Sequence, residues 1–190
     1  MNNRSIRILG LAGSLRGDSW NRRLLQAAAL LTPPGTSLEV YDALASVPLF
    51  DEDLELTLPG GSPGVRALRA AVAEADGLMV ATPEYNQAMP GVLKNALDWL
   101  SRDDNVLQGL PVAVLGATVG AWGTRLAQAS LRQVLHTSGS LVMPSPMLFV
   151  ANAHRCLDPQ TVDQALQPAL QAFVAAFAAW VRSLAPIKSL

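Results

Sequence analysis

The chain has 190 residues, half of them hydrophobic, and a formal net charge of -1. That length predicts one domain with a substantial core, and near-neutral charge with no basic patch argues against nucleic-acid or acidic partners. Its apolar runs, such as residues 172–181, are too short to span a bilayer, and the N-terminal run is broken by a Gly-Ser-Leu-Arg loop, unlike a secretory signal. Cys156 is the one cysteine, which leaves no intrachain disulfide or cysteine-based metal cluster, and a soluble cytoplasmic protein is expected.

Residues 6–11 (Ile-Arg-Ile-Leu-Gly-Leu) are aliphatic and β-prone, while Leu24, Leu25, Ala28 and Leu31 recur at helical spacing. A strand therefore runs through a loop into a helix. The loop, residues 12–21, combines glycines with Ser14, Arg16, Ser19 and Asn21. Glycines let backbone N–H groups turn toward an anion, the helix N-terminus adds unpaired donors and partial positive charge, and Arg16 supplies a full one. The same residues equally describe a plain turn with Ser19 as N-cap and Arg16 solvated. The loop has neither the Gly-Lys-Ser/Thr ending of a P-loop nor G-x-G-x-x-G spacing, which argues against an NTPase of that kind and a standard dinucleotide fold.

Pro33-Pro34-Gly35 ends the helix, and residues 37–41 alternate like a strand near a sheet edge. From residue 42 to 63 no periodic element is expected; so long a loop is functional or partner-covered, and the carboxylates of Asp51, Glu52 and Asp53 read as a solvated face. Residues 65–75 predict a short amphipathic helix with Val65, Leu68 and Val72 on one side. Residues 78–81 are continuously apolar, as a central parallel strand requires. They lead into Thr82-Pro83-Glu84-Tyr85-Asn86-Gln87, where an aromatic ring, an amide and N–H groups on a proline-stiffened backbone suit a planar heterocycle. Alone, Glu84 and Asn86 read as ordinary loop polar groups. Beyond Pro90-Gly91, Val92, Leu93, Ala96, Leu97, Trp99 and Leu100 trace a helical stripe, leaving Lys94, Asn95 and Asp98 on the other side.

Residues 112–115 predict a fourth strand, and the loop after it, residues 116–125, is small and glycine-rich until Trp122. A helix follows over about 124–138 with Gly139 as C-cap, then a fifth strand over 141–143. Residues 144–156 carry no clear pattern. Asp158-Pro159 can open a last helix as N-cap and first-turn proline, with Pro168 kinking or splitting it. His136 and His154 read as structural or solvated, and no catalytic triad, paired carboxylates or metal cluster emerges. Five strands alternating with helices imply a doubly wound α/β sheet with right-handed crossovers. In the order 2-1-3-4-5 the switch point lies between strands one and three, and the two most informative loops follow those strands, which favours the phosphate reading of the first.

Gly13-Ser14-Leu15-Arg16 with Ser19 and Asn21 resembles the opening of the NADPH-dependent FMN reductases, a flavodoxin-like family of quinone, chromate and azo-dye reductases. Thr82-Pro83-Glu84-Tyr85-Asn86, followed by Met89-Pro90-Gly91-Val92-Leu93-Lys94-Asn95-Ala96-Leu97-Asp98-Trp99-Leu100, resembles the most recognisable segment of that family. Gly120, Gly123, Arg125 and Leu131-Arg132-Gln133-Val134 fit too, whereas Trp122 departs from the glycine-rich form. The resemblance covers most of residues 6–143. It implies a flavodoxin-like five-stranded parallel sheet and non-covalent FMN. The phosphate would lie at Ser14, Arg16, Ser19 and Asn21, and the ring near Pro83, Glu84, Tyr85, Asn86, Gly120 and Gly123. It further implies NAD(P)H as electron donor, a quinone or similar acceptor (chromate, azo dyes or free flavin), and a homodimer or homotetramer with the flavin pocket at the subunit interface. The scarcity of acid–base groups suits such chemistry, in which the cofactor transfers hydride and the protein supplies position and electrostatics. The competing reading is a non-enzymatic flavodoxin-like electron carrier or a flavin-binding sensor. Flavodoxins usually have a hydroxyl-rich phosphate loop and an acidic surface, and this chain has neither.

Overall fold

A computed structural model describes residues 5–102, 104–157 and 163–184. The elements are β1 (Ile6–Ala12), α1 (Trp20–Leu30), β2 (Thr36–Tyr41), a 3-10 turn (Leu44–Ser46), α2 (Glu52–Thr57), α3 (Pro63–Ala73) and β3 (Gly77–Ala81). After them come α4 (Gly91–Leu100), β4 (Pro111–Ala117), α5 (Arg125–Thr137), β5 (Leu141–Val142), β6 (Leu148–Val150), α6 (Ala153–Cys156) and α7 (Gln167–Leu184). The strands pair in parallel in the expected order, β2-β1-β3-β4-β5, and β6 also pairs with β4.

Strand periodicity builds a core on each face of the sheet. Leu9, Leu11, Leu78, Val80, Val112 and Val114 pack toward α3, α4 and α5. Their neighbours Ile8, Met79, Ala113 and Leu115 pack toward α1 and α7. Every residue of β3 and β4 is buried, as their unbroken apolar runs require, while β2 at the edge is half-buried. The fifth strand is split: β5 pairs with Pro111 and Val112, and β6 with Leu115 to Ala117. Pro144 and Pro146 lie between the two pieces and have no N–H to give to a ladder.

Three expectations need correction. Residues 42–63 are not featureless, because they hold the 3-10 turn and α2. The latter has no buried residue and hence no apolar stripe to read; it stands on the Asp51 N-cap and on Glu52, Asp53 and Glu55 in its first turn, where carboxylates suit the helix dipole. Glu55 also accepts from Arg102 Nη2 at 2.8 Å. Asn95, placed by periodicity on the polar side of α4, is buried, because the segment after β2 packs over it. Lys94 and Asp98 do face outward, paired at 2.6 Å. Asp158-Pro159 lies outside the described residues. Pro168 falls in the first turn of α7, where it neither kinks nor splits the helix.

Candidate active site

The loops after β1, β3 and β4 leave the sheet side by side at its carboxyl end. Gly13 N–H donates to Ala81 O at 2.8 Å and Thr82 N–H to Leu115 O at 3.0 Å, so each loop starts bonded to the next strand. Gly13 sits in close approach to its neighbours: a Cβ there would lie 2.9 Å from Leu93 Cδ2 and 3.4 Å from Pro83 Cδ. At Gly116 a Cβ would collide with the Thr124 hydroxyl and the Thr82 carbonyl oxygen. These two glycines let the three loops close on one another.

In the first loop Ser14 and Ser19 are buried and Arg16 is exposed. Ser19 caps α1, its Oγ accepting from Arg22 N–H at 3.4 Å, and Ser14 Oγ accepts from Arg16 N–H at 3.4 Å. Asn21 is buried with its amide committed to the backbone of β4: Nδ2 donates to Ala117 O at 3.0 Å and Oδ1 accepts from Ala117 N–H at 2.9 Å. It extends the ladder of β4 and fixes the first turn of α1 against it. Arg23 pairs with Asp18 and stacks over Trp20, 4.6 Å from the ring centroid, so the one carboxylate of the loop is neutralised. The N–H groups of Ser14, Leu15, Gly17 and Asp18 and the guanidinium of Arg16 have no hydrogen-bond partner among the described residues. Unpaired donors, a free cation and a helix N-terminus fit a phosphate group.

The second loop is a tight hairpin turn. Tyr85 and Ala88 exchange backbone hydrogen bonds at 3.0 and 3.1 Å across Asn86 (φ 50°) and Gln87 (φ 66°). Two successive positive φ values describe a type I′ turn, which Asn tolerates better than Gln. The turn presents Tyr85, half exposed, together with the Glu84, Asn86 and Gln87 N–H groups, which have no partner among the described residues. Pro83 is buried beneath it. The Glu84 carboxylate turns away toward α5, accepting from Leu126 N–H at 2.9 Å and Ala127 N–H at 3.0 Å.

The third loop is anchored from α6: Asn152 N–H donates to Gly120 O at 3.1 Å and Ala153 N–H to Thr118 O at 2.9 Å. Gly123 (φ 70°) backs onto Phe149, where a Cβ would lie 2.9 Å from Phe149 Cβ. Trp122, between these anchors, is 79% exposed. Beside the loops, Asn95 Nδ2 and Trp99 Nε1 donate to Pro48 O at 2.8 and 2.9 Å, and Asn95 Oδ1 accepts from Phe50 N–H at 2.7 Å. Those bonds pin the segment after β2 and leave Leu49 exposed between them. Sequence reasoning missed Asn95 here, and the long-range bonds of Asn21 and Glu84, because each joins a side chain to backbone more than 40 residues away.

The described residues hold no group of three or more His, Cys, Asp or Glu side chains placed for a metal and no helix long and apolar enough to cross a membrane. Burial, and then the nearby Asp163, pushes the Cys156 thiol above its ordinary range, unlike an activated nucleophile. Both histidines are exposed, one near the end of α5 and one on α6.

Residues 6–155 match the NADPH-dependent FMN reductase family model. An NAD(P)H-dependent FMN reductase of Pseudomonas aeruginosa is 40% identical over 182 residues, covering 94% of this chain and 97% of that one. A 2-hydroxy-1,4-benzoquinone reductase of a Burkholderia species is 39% identical with the same coverage. Among solved structures, the flavoenzyme NAD(P)H:(acceptor) oxidoreductase FerB of Paracoccus denitrificans superposes with a TM-score of 0.84 at 31% identity, over 94% of this chain and 98% of that one. With a strand order, loop geometry and sequence match that agree along most of its length, the chain belongs to the NADPH-dependent FMN reductase family.

Proposed function

We propose that this chain is an FMN-dependent oxidoreductase that passes hydride from NAD(P)H to quinones or related acceptors. It acts in the cytoplasm as one flavodoxin-like domain per subunit of a homodimer or dimer of dimers. The observation that carries the reading is the meeting, at the switch point, of a loop with unpaired donors and a free arginine and a loop with an exposed tyrosine and unpaired N–H groups. Bound FMN supplies the hydride-accepting and hydride-donating chemistry. Ser14, Arg16, Ser19 and the free N–H groups of the first loop hold its phosphate, and Asn21 keeps the helix N-terminus aimed at it. Tyr85 packs beside the ring, with Pro83 and Glu84 setting the height of the turn, and the N–H groups around Asn86 meet the polar edge of the ring. Gly120 would leave room at the far wall, and Gly123 lets that loop pack back onto Phe149.

The relatives named for FMN and quinone reduction support an enzyme over an electron carrier, and those named quinone reductases favour a quinone acceptor. A single accessible face of bound FMN would have to serve donor and acceptor in turn. Initial-rate lines for NAD(P)H at several quinone concentrations are therefore expected to be parallel; lines that intersect would contradict the shared face.

A further inference from the structure

α5 begins without a cap of its own. Thr124, at the N-cap position, is left-handed (φ 61°), and its hydroxyl faces the interior, accepting from Gln128 Nε2 at 3.2 Å. A helix started this way leaves its first-turn N–H groups unpaired. The missing acceptor comes from a different loop, 42 residues earlier in the chain: one oxygen of Glu84 takes Leu126 N–H at 2.9 Å and Ala127 N–H at 3.0 Å. A carboxylate bonded to two N–H groups at the positive end of a helix is held by charge as well as by geometry. The residue next to Glu84 is Tyr85, whose backbone closes the Tyr85–Ala88 turn.

We infer that Glu84 is the positioning residue of the ring-binding turn, locking it to the start of α5 so that Tyr85 and the free N–H groups are in place before any ligand arrives. The inference rests on the proposed FMN site. Its side chain does not itself contact the cofactor, and its charge is spent on the helix. Without the lock the turn samples other positions, and apparent affinity falls in proportion to the fraction that is competent.

Glu84→Ala and Glu84→Gln separate this role from a general loss of stability. The Gln side chain keeps an acceptor oxygen at the same reach and loses only the charge. In Glu84→Ala, the Leu126 and Ala127 amides are expected to lose hydrogen-exchange protection in the FMN-free protein, and FMN affinity to fall about tenfold, as for a turn competent about a tenth of the time. Reduction by NAD(P)H at saturating FMN is expected to stay within about twofold of the parent, because bound FMN draws the turn into its competent position. Glu84→Gln is expected to restore protection and to bring affinity back to within about threefold of the parent. If both variants bind FMN like the parent and lose only thermal stability, or if Gln is as impaired as Ala, the positioning role is wrong. A parent protein that keeps the amide protection but binds no FMN would overturn the flavin site and leave the clamp standing.

Discussion

In the proposed site, Arg16 would hold the cofactor and Tyr85 would serve the reaction. Arg16 is an exposed cation without a partner among the described residues, on the loop that supplies four unpaired N–H groups. A charge-assisted bond to phosphate contributes about 1.5–3 kcal/mol, so Arg16→Ala is expected to weaken FMN binding by roughly ten- to a hundredfold. Saturating FMN is expected to restore most turnover, since phosphate contacts hold ground and transition states alike. Tyr85→Ala is expected to slow hydride transfer or acceptor reduction even with every site filled, because in the proposed site its ring would orient the reacting partners. Flavin titration and stopped-flow reduction on both variants check the division. An Arg16→Ala protein that binds like the parent, or a Tyr85→Ala defect that vanishes at saturating FMN, would count against it. At this scale the sequence was partly legible: the Ser19 cap followed from local spacing, whereas nothing near Glu84 announced that its carboxylate caps a helix in another loop.

Two buried asparagines join elements that lie far apart in sequence. Asn21 splices α1 to the end of β4, and Asn95 splices α4 to the segment after β2; each uses its amide as donor and acceptor to backbone. Removing Asn21 strands the N–H and the carbonyl of Ala117, itself buried, so Asn21→Ala is expected to destabilise by about 2–5 kcal/mol. Asn21→Asp is not expected to rescue, because Ala117 O needs a donor that a carboxylate lacks. Thermal or denaturant unfolding of both variants checks this; Asp matching the parent would show that the accepting half of the pair is enough. Element type was legible where apolar residues run unbroken, as in β3 and β4, or recur at helical spacing, as in α4 and α5. It failed at α2, which has no fully buried side chain, and at the split fifth strand, where the prolines decide the break but not the return of Leu148–Val150 to β4.

Across the whole molecule, the strand order was legible because alternating strands and helices with right-handed crossovers leave few topologies, and the order then fixes which loops meet. The side-chain bonds that hold those loops in register are long-range and left no periodic trace. Assembly belongs to the same scale: Leu49, Leu56, Trp122, Leu126 and Met147 are all at least half exposed and are the apolar side chains that the proposed self-association would have to cover. Light scattering at micromolar concentration is expected to give two or four chain masses; a fully active monomer would rule that assembly out. The claim on which the rest depends is that the switch point holds FMN and passes electrons through it. Its most direct measurement is the visible absorbance of the purified, FMN-reconstituted protein under anaerobic conditions. The flavin band should correspond to one FMN per chain, bleach when NAD(P)H is added and return when benzoquinone follows. A protein that retains no FMN, or whose band survives excess NADH and NADPH alike, would contradict it.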